Sequence, residues 1–120
     1  MNHHDTIQRY YRAFRDRDRD TLRSVLAPDF HFLSSFGEFH DRDAMLDAIW
    51  PSVGQTWATK LRIFGEGPEF VVLYEHADTP GMGRPPMTMA EYVRFEGPRI
   101  AQIEVYAGRP LATGPGPRSA

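Results

Sequence analysis

The chain changes rhythm at Pro51, and that change restricts the folds open to it. Before Pro51 the apolar residues recur every three or four positions; after it they alternate. "DTIQRYYRAF" sets Ile7, Tyr10, Tyr11 and Phe14 at the i, i+3, i+4, i+7 spacing of one helix face. Asp5 is the expected cap, with Gln8 completing a capping box. "RDRDRD", residues 15–20, alternates charge without an apolar residue and reads as a solvated helix end and turn. Asp20 then opens a short second helix with Leu22, Val25 and Leu26 inward and Pro28 closing it. "FHFLSSF" follows as a strand. A third short helix runs from about Asp41, through Met45 and Ile49, to Pro51.

From there four runs carry period 2. "TWATKLRIF" alternates Trp57, Thr59, Leu61 and Ile63 against Ala58, Lys60 and Arg62. "EFVVLYEHA" is nearly continuous apolar and is expected to be buried on both faces. "DTPGMGRPP" is a turn-rich connection to "MTMAEYVRF", and "EGPR" reverses the chain into "IAQIEVYA". Helices gathered ahead of antiparallel hairpins predict an α+β fold with helices on one side of a curved sheet. One domain is expected over 1–108, followed by a disordered tail over 109–120, where Gly and Pro accumulate without periodicity.

Several function classes are set aside by composition. A net charge of −2 leaves no basic footprint for nucleic acid or an anionic membrane. No apolar run is long enough to span a bilayer, and "MNHHDTIQRYY" lacks the pattern of a secretory signal, so a cytoplasmic protein is expected. The absence of cysteine removes thiol nucleophiles, disulfides and thiolate metal sites. His3, His4 and His40 show neither an HExxH motif nor a two-histidine, one-carboxylate spacing, so no metal is expected. His31 is set aside because alternation points it away from Phe30, Phe32 and Ser34. "GMGRPP" is not a phosphate loop, Ser34 and Ser35 lack a nucleophile elbow, and no cofactor is expected.

One acid stands out. In "MTMAEYVRF", Met87, Met89, Glu91, Val93 and Phe95 share a face, while Thr88, Ala90, Tyr92 and Arg94 share the other. A carboxylate on so apolar a face must be protonated, paired or hydrated.

"IQRYYRAF", "APDFHFLSSFGE" and "EYVRFEG", in that order, resemble the nuclear transport factor 2-like superfamily over about residues 4–108. That superfamily includes ketosteroid isomerases, SnoaL-type polyketide cyclases, scytalone dehydratases, limonene epoxide hydrolases and many non-catalytic binding domains. The resemblance implies a cone: a strongly bent sheet wrapping three helices around an apolar pocket. It is closest to the ketosteroid isomerases. It implies that Tyr10 takes their pocket tyrosine position and Glu91 that of their protonated aspartic acid. Ser34 falls where those enzymes carry the aspartate base, which argues against steroid isomerase activity.

Residue chemistry gives the same pair a role. A desolvated carboxyl stays neutral near pH 7 and can donate a hydrogen bond, which with a tyrosine makes an oxyanion hole. His76 is the candidate base, because period 2 sets it on the face of Val72 and Tyr74 and imidazole titrates in the useful range. An ion pair with His76 is the alternative account of Glu91. The expected catalytic residues are thus Tyr10, Glu91 and His76. The helices and first strand contribute Phe14, Phe30, Phe32, Ser34 and Ile49 to the ligand-binding lining. The later strands contribute Trp57, Val72, Tyr74, Met89, Val93, Ile103 and Val105. An aromatic pocket with few polar groups suits a small apolar ligand. The expected activity is proton transfer on an apolar, carbonyl-bearing cyclic substrate by an isomerase, cyclase or dehydratase. The alternatives are a non-catalytic binding domain for an aromatic or isoprenoid ligand, or a dimeric assembly module. Val71, Leu73, Tyr92 and Tyr106 on the outer sheet face argue for a covered surface, and the resemblance implies a homodimer through that face.

Overall fold

A computed structural model describes residues 2–34, 37–78 and 87–110. Three helices, α1 (His3–Asp16), α2 (Arg19–Val25) and α3 (Arg42–Ile49), lie on one face of an open six-stranded sheet. The strands are β1 (Leu26–Ser34), β2 (Gly37–Phe39), β3 (Thr56–Glu66), β4 (Glu69–Asp78), β5 (Met87–Glu96) and β6 (Arg99–Pro110), in the order β2-β1-β6-β5-β4-β3. Every neighbouring pair is antiparallel except β1 and β6, so the sheet is mixed. The α+β expectation therefore holds. No helix among the described residues is long and apolar enough to cross a membrane.

Two helix caps depart from the sequence reading, by three residues in α1 and by two in α2. Asn2, not Asp5, caps α1: its side-chain oxygen accepts from the Asp5 backbone N–H at 2.8 Å. Asp18, not Asp20, caps α2 through the Thr21 N–H and hydroxyl. Either acid of a charge-alternating run can cap, and the one that leaves Leu22 and Val25 inward prevails. Pro28 does not end that helix. The chain turns extended at Leu26, and Pro28 sits exposed inside β1. Asp41 caps α3 as expected, and a 3-10 turn at Trp50–Ser52 takes up Pro51. The short strand β2 carries no periodic signal and went unpredicted. The anticipated strand's Ser35 and Phe36, the connection at 79–86 and residues 111–120 of the expected tail lie outside the described residues, while residues 109 and 110, also assigned to that tail, belong to β6.

The core forms where the helices meet the inner sheet face. Ile7, Tyr10 and Tyr11 of α1 and Met45 and Leu46 of α3 pack against Val72, Val93, Ile100 and Ile103. Burying each such side chain contributes roughly 1.5–3 kcal/mol. Arg42 is buried among them. Its guanidinium donates to the carbonyls of Arg23 and Leu26 at 3.3 and 3.4 Å, satisfying the end of α2. The outer face is less covered than expected: Val71 of β4 is 42 % exposed, so that strand is buried on one face only.

A bulge in β3 re-phases that strand. Thr59 pairs with Glu75, but the next pair is Arg62 with Leu73, and Lys60 between them adopts a left-handed φ of 56°. The slip places Ala58, Leu61 and Ile63 against the core. Trp57, opposite Ala77, is thereby turned to the other face, away from the expected lining.

Candidate functional site

Glu91 sits in the middle of β5 with Val72 of β4 on one side and Val105 of β6 on the other. Only 6 % of it is exposed. Its partners are two phenols. Tyr11, from the third turn of α1, donates to Oε1 at 2.8 Å, and Tyr74, from β4, donates to Oε2. The register explains the second contact: Tyr74 pairs with Met89, so its ring lies diagonal to Glu91 on the same face. The tyrosine rings are tilted against each other with centroids 5.5 Å apart. Neither arginine nor histidine pairs with this carboxyl among the described residues.

The tyrosine implied by resemblance, Tyr10, is one position away. It is buried and makes edge contacts with Tyr11 at 5.0 Å and Phe14 at 4.9 Å. Adjacent residues on a helix point about 100° apart, and only one of the two donates to Glu91. Tyr11 is that residue. The sequence offers no local signal to choose between two neighbouring aromatics on one apolar face.

Burial pushes the Glu91 carboxyl above its ordinary range, and the two hydroxyl donors offset this in part. Tyr10, Tyr11 and Tyr74 are all pushed above the usual phenol range, first by burial and then by the Glu91 charge. Glu91 is thus the group that exchanges a proton in this cluster, and the phenols stay neutral. When the carboxyl is ionised, both hydroxyl hydrogens point at it. Once protonated, it can donate to a phenol oxygen and free that phenol's hydrogen for another acceptor.

His76 lies on the same face as Tyr74, half-buried near the end of β4, opposite Ala58 and Met87. Tyr74 stands between it and Glu91, and the carboxyl is engaged by phenols, so the alternative ion pair does not form. Ser34 ends β1, two strands and about 10 Å from β5 by the usual strand spacing. Phe30, Val72, Val93 and Ile103 are fully buried core, and Phe14, Phe32, Ile49, Met89 and Val105 pack partly buried against it. A groove of about 660 Å³ opens on the other side of the sheet, beside Leu73, Ala90 and Tyr106.

Residues 7–103 match the family model of the SnoaL-like domain. No curated protein matches the sequence. Solved structures share the fold. An NTF2-like protein of unknown function from Cytophaga hutchinsonii superposes with a TM-score of 0.74 at 13% identity, over 89% of this chain and 90% of that one. A proposed polyketide cyclase from Sinorhizobium meliloti gives 0.73 at 22% identity, over 85% and 94%. A proposed ketosteroid isomerase from Kribbella flavida gives 0.76 at 15% identity, over 93% and 82%.

Proposed function

The chain belongs to the SnoaL-like domain family, and from that premise we propose that it moves a proton on an apolar, carbonyl-bearing cyclic ligand, as an isomerase, cyclase or dehydratase. The observation that carries this reading is the buried Glu91 carboxyl with a tyrosine hydroxyl at each oxygen. Neutral Glu91 donates to Tyr74, whose own hydrogen then turns to the ligand carbonyl. Neutral His76 takes a proton from the carbon beside that carbonyl, and the C–H electron pair moves onto the oxygen as an enolate held by Tyr74. Return of the proton from His76 to a different carbon completes an isomerisation without a co-reactant. Tyr11 steadies the second carboxyl oxygen, and Tyr10 supports Tyr11 edge-on.

A second reading, ligand binding without turnover, is favoured by Ser34, which leaves no carboxylate base on β1. In either case the outer sheet face, with Val71 and Tyr106 exposed, is assigned to contact with a second copy of the chain.

A fluorescent naphthol tests the site, because a bound phenolate mimics an enolate. Wild type should bind it saturably with naphtholate emission, and Glu91→Gln should bind about tenfold more weakly or worse. Failure of wild type to bind removes the proposal. His76→Ala separates the readings. It should keep naphthol affinity while abolishing deuterium exchange from D2O into a bound cyclic ketone; a wild type that binds but exchanges nothing leaves only the binding reading.

A further inference from the structure

At the free edge of the sheet, the β1–β2 hairpin carries a second constellation on the face turned away from Glu91. Phe32 pairs with Phe39 and Leu33 with Glu38. One step further in the same register, His31 stands opposite His40. Alternation then sends Phe30, Phe32 and Phe39 to the core, and His31, Glu38 and His40 together to the other side. His31 is separated from Glu38 and His40 by seven and nine positions of chain, a spacing that no helical or zinc-finger motif contains. Only the register reveals them as neighbours.

The two imidazoles stack with centroids 4.2 Å apart and 19° between their planes. Both Nε2 atoms face one carboxylate oxygen, Glu38 Oε1, at 2.7 Å from His31 and 3.2 Å from His40. All three donor atoms lie within 4.8 Å of one another. Donors at zinc-ligand distance around a tetrahedral ion stand about 3.3 Å apart, so small side-chain movements would accommodate one. The ligand set is two neutral imidazoles and one carboxylate, which suits first-row transition ions rather than calcium or magnesium. Access is open, with side-chain exposures of 27 % for His31, 52 % for Glu38 and 70 % for His40.

We propose that His31, Glu38 and His40 form a binding site for a divalent first-row transition-metal cation, Zn²⁺ foremost, with water completing the coordination. The ion bridges β1 to β2, a strand joined to the sheet by three residue pairs. It therefore acts as a clip on the sheet's weakest edge. Because the folded hairpin assembles the three donors and the unfolded chain does not, binding raises the melting temperature.

Titration calorimetry with ZnCl2, using the full untagged chain in a non-coordinating buffer, tests this directly. Wild type should take up one equivalent per chain. His31→Ala and His40→Ala should each weaken binding by more than about tenfold, at least the loss caused by removing an outer-shell partner, while His4→Ala should leave it unchanged. Co²⁺ gives an independent optical readout: its visible absorption should appear with wild type and be absent from both histidine variants. Circular dichroism without metal verifies that each variant is folded, and exposed His40, beyond the end of β2, keeps the test decisive if His31→Ala is not. Absence of both heat and cobalt absorption in wild type overturns the proposal. So does binding that survives the loss of either cluster histidine, or binding lost in His4→Ala.

Discussion

Glu91 is an acid that the folded chain holds at a cost, and pH exposes that cost. Its folded pKa is raised above the ordinary carboxyl value of 4.5 because burial disfavours the charge more than the two phenols favour it. The folded state therefore binds this proton more tightly than the unfolded chain. The stabilisation that the proton brings is fully present below 4.5 and is lost as the pH rises through the raised folded value. Glu91→Gln keeps the shape without the charge. Its melting temperature should gain on wild type between pH 5 and pH 8; a gap that stays constant with pH would show that Glu91 does not titrate in this range. The two tyrosines are separable in the same way. Tyr11→Phe removes a buried hydrogen bond to Oε1 and should cost about 1–3 kcal/mol in urea unfolding. Tyr10→Phe leaves both carboxyl contacts in place and should cost less. The reverse order would return the paired role to Tyr10.

At the scale of elements, legibility depended on whether periodicity was local. The helices and four long strands were readable because each is a run of regular spacing ended by Pro, Gly or a capping acid. β2 was not readable, since a three-residue strand is too short to show alternation and exists only through its pairing with β1. Trp57 was assigned to the wrong face for a related reason. Alternation assumes an unbroken pleat, and the bulge at Lys60 inserts a residue that no composition cue marks. Glu91 was legible as an anomaly on an apolar strand, whereas its partners needed the β4–β5 register and the rotation of α1. The bulge itself makes a prediction. Lys60 holds φ 56°, a region costing roughly 1–2 kcal/mol for a residue with a Cβ and more for a β-branched one. Lys60→Gly should be neutral or stabilising even though it gives up the exposed ion pair with Glu75. Lys60→Val should lose about 1–2 kcal/mol, well beyond the usual effect of an exposed substitution. Equal urea midpoints for the two variants would mean that the bulge relaxes without strain.

For the whole molecule, the sheet has two unlike faces. The inner face is covered by three helices. On the outer face Phe64, Val71 and Tyr106 remain 52 %, 42 % and 57 % exposed, around a groove bordered by Lys60, Arg62 and Glu75. Phe64 pairs with Val71, and Val71 with Tyr92, so an apolar band crosses three strands. A standard interface buries about 800 Å² on each partner, and a sheet face of this breadth can supply it. In a twofold dimer each residue of the patch appears twice, so one substitution is felt twice. Val71→Lys would then place two unpaired charges in the contact. Each buried unpaired charge costs several kcal/mol, enough to weaken association by more than about a hundredfold. In the separated monomer Val71 already meets water, and its replacement should change stability by no more than about 0.5 kcal/mol. Sedimentation velocity at micromolar concentration should therefore find wild type at twice the chain mass and Val71→Lys at the chain mass, with the two still binding naphthol alike. A wild type that sediments as a monomer across that range would leave the outer face without a partner of its own kind, and the inner site would have to work within a single chain.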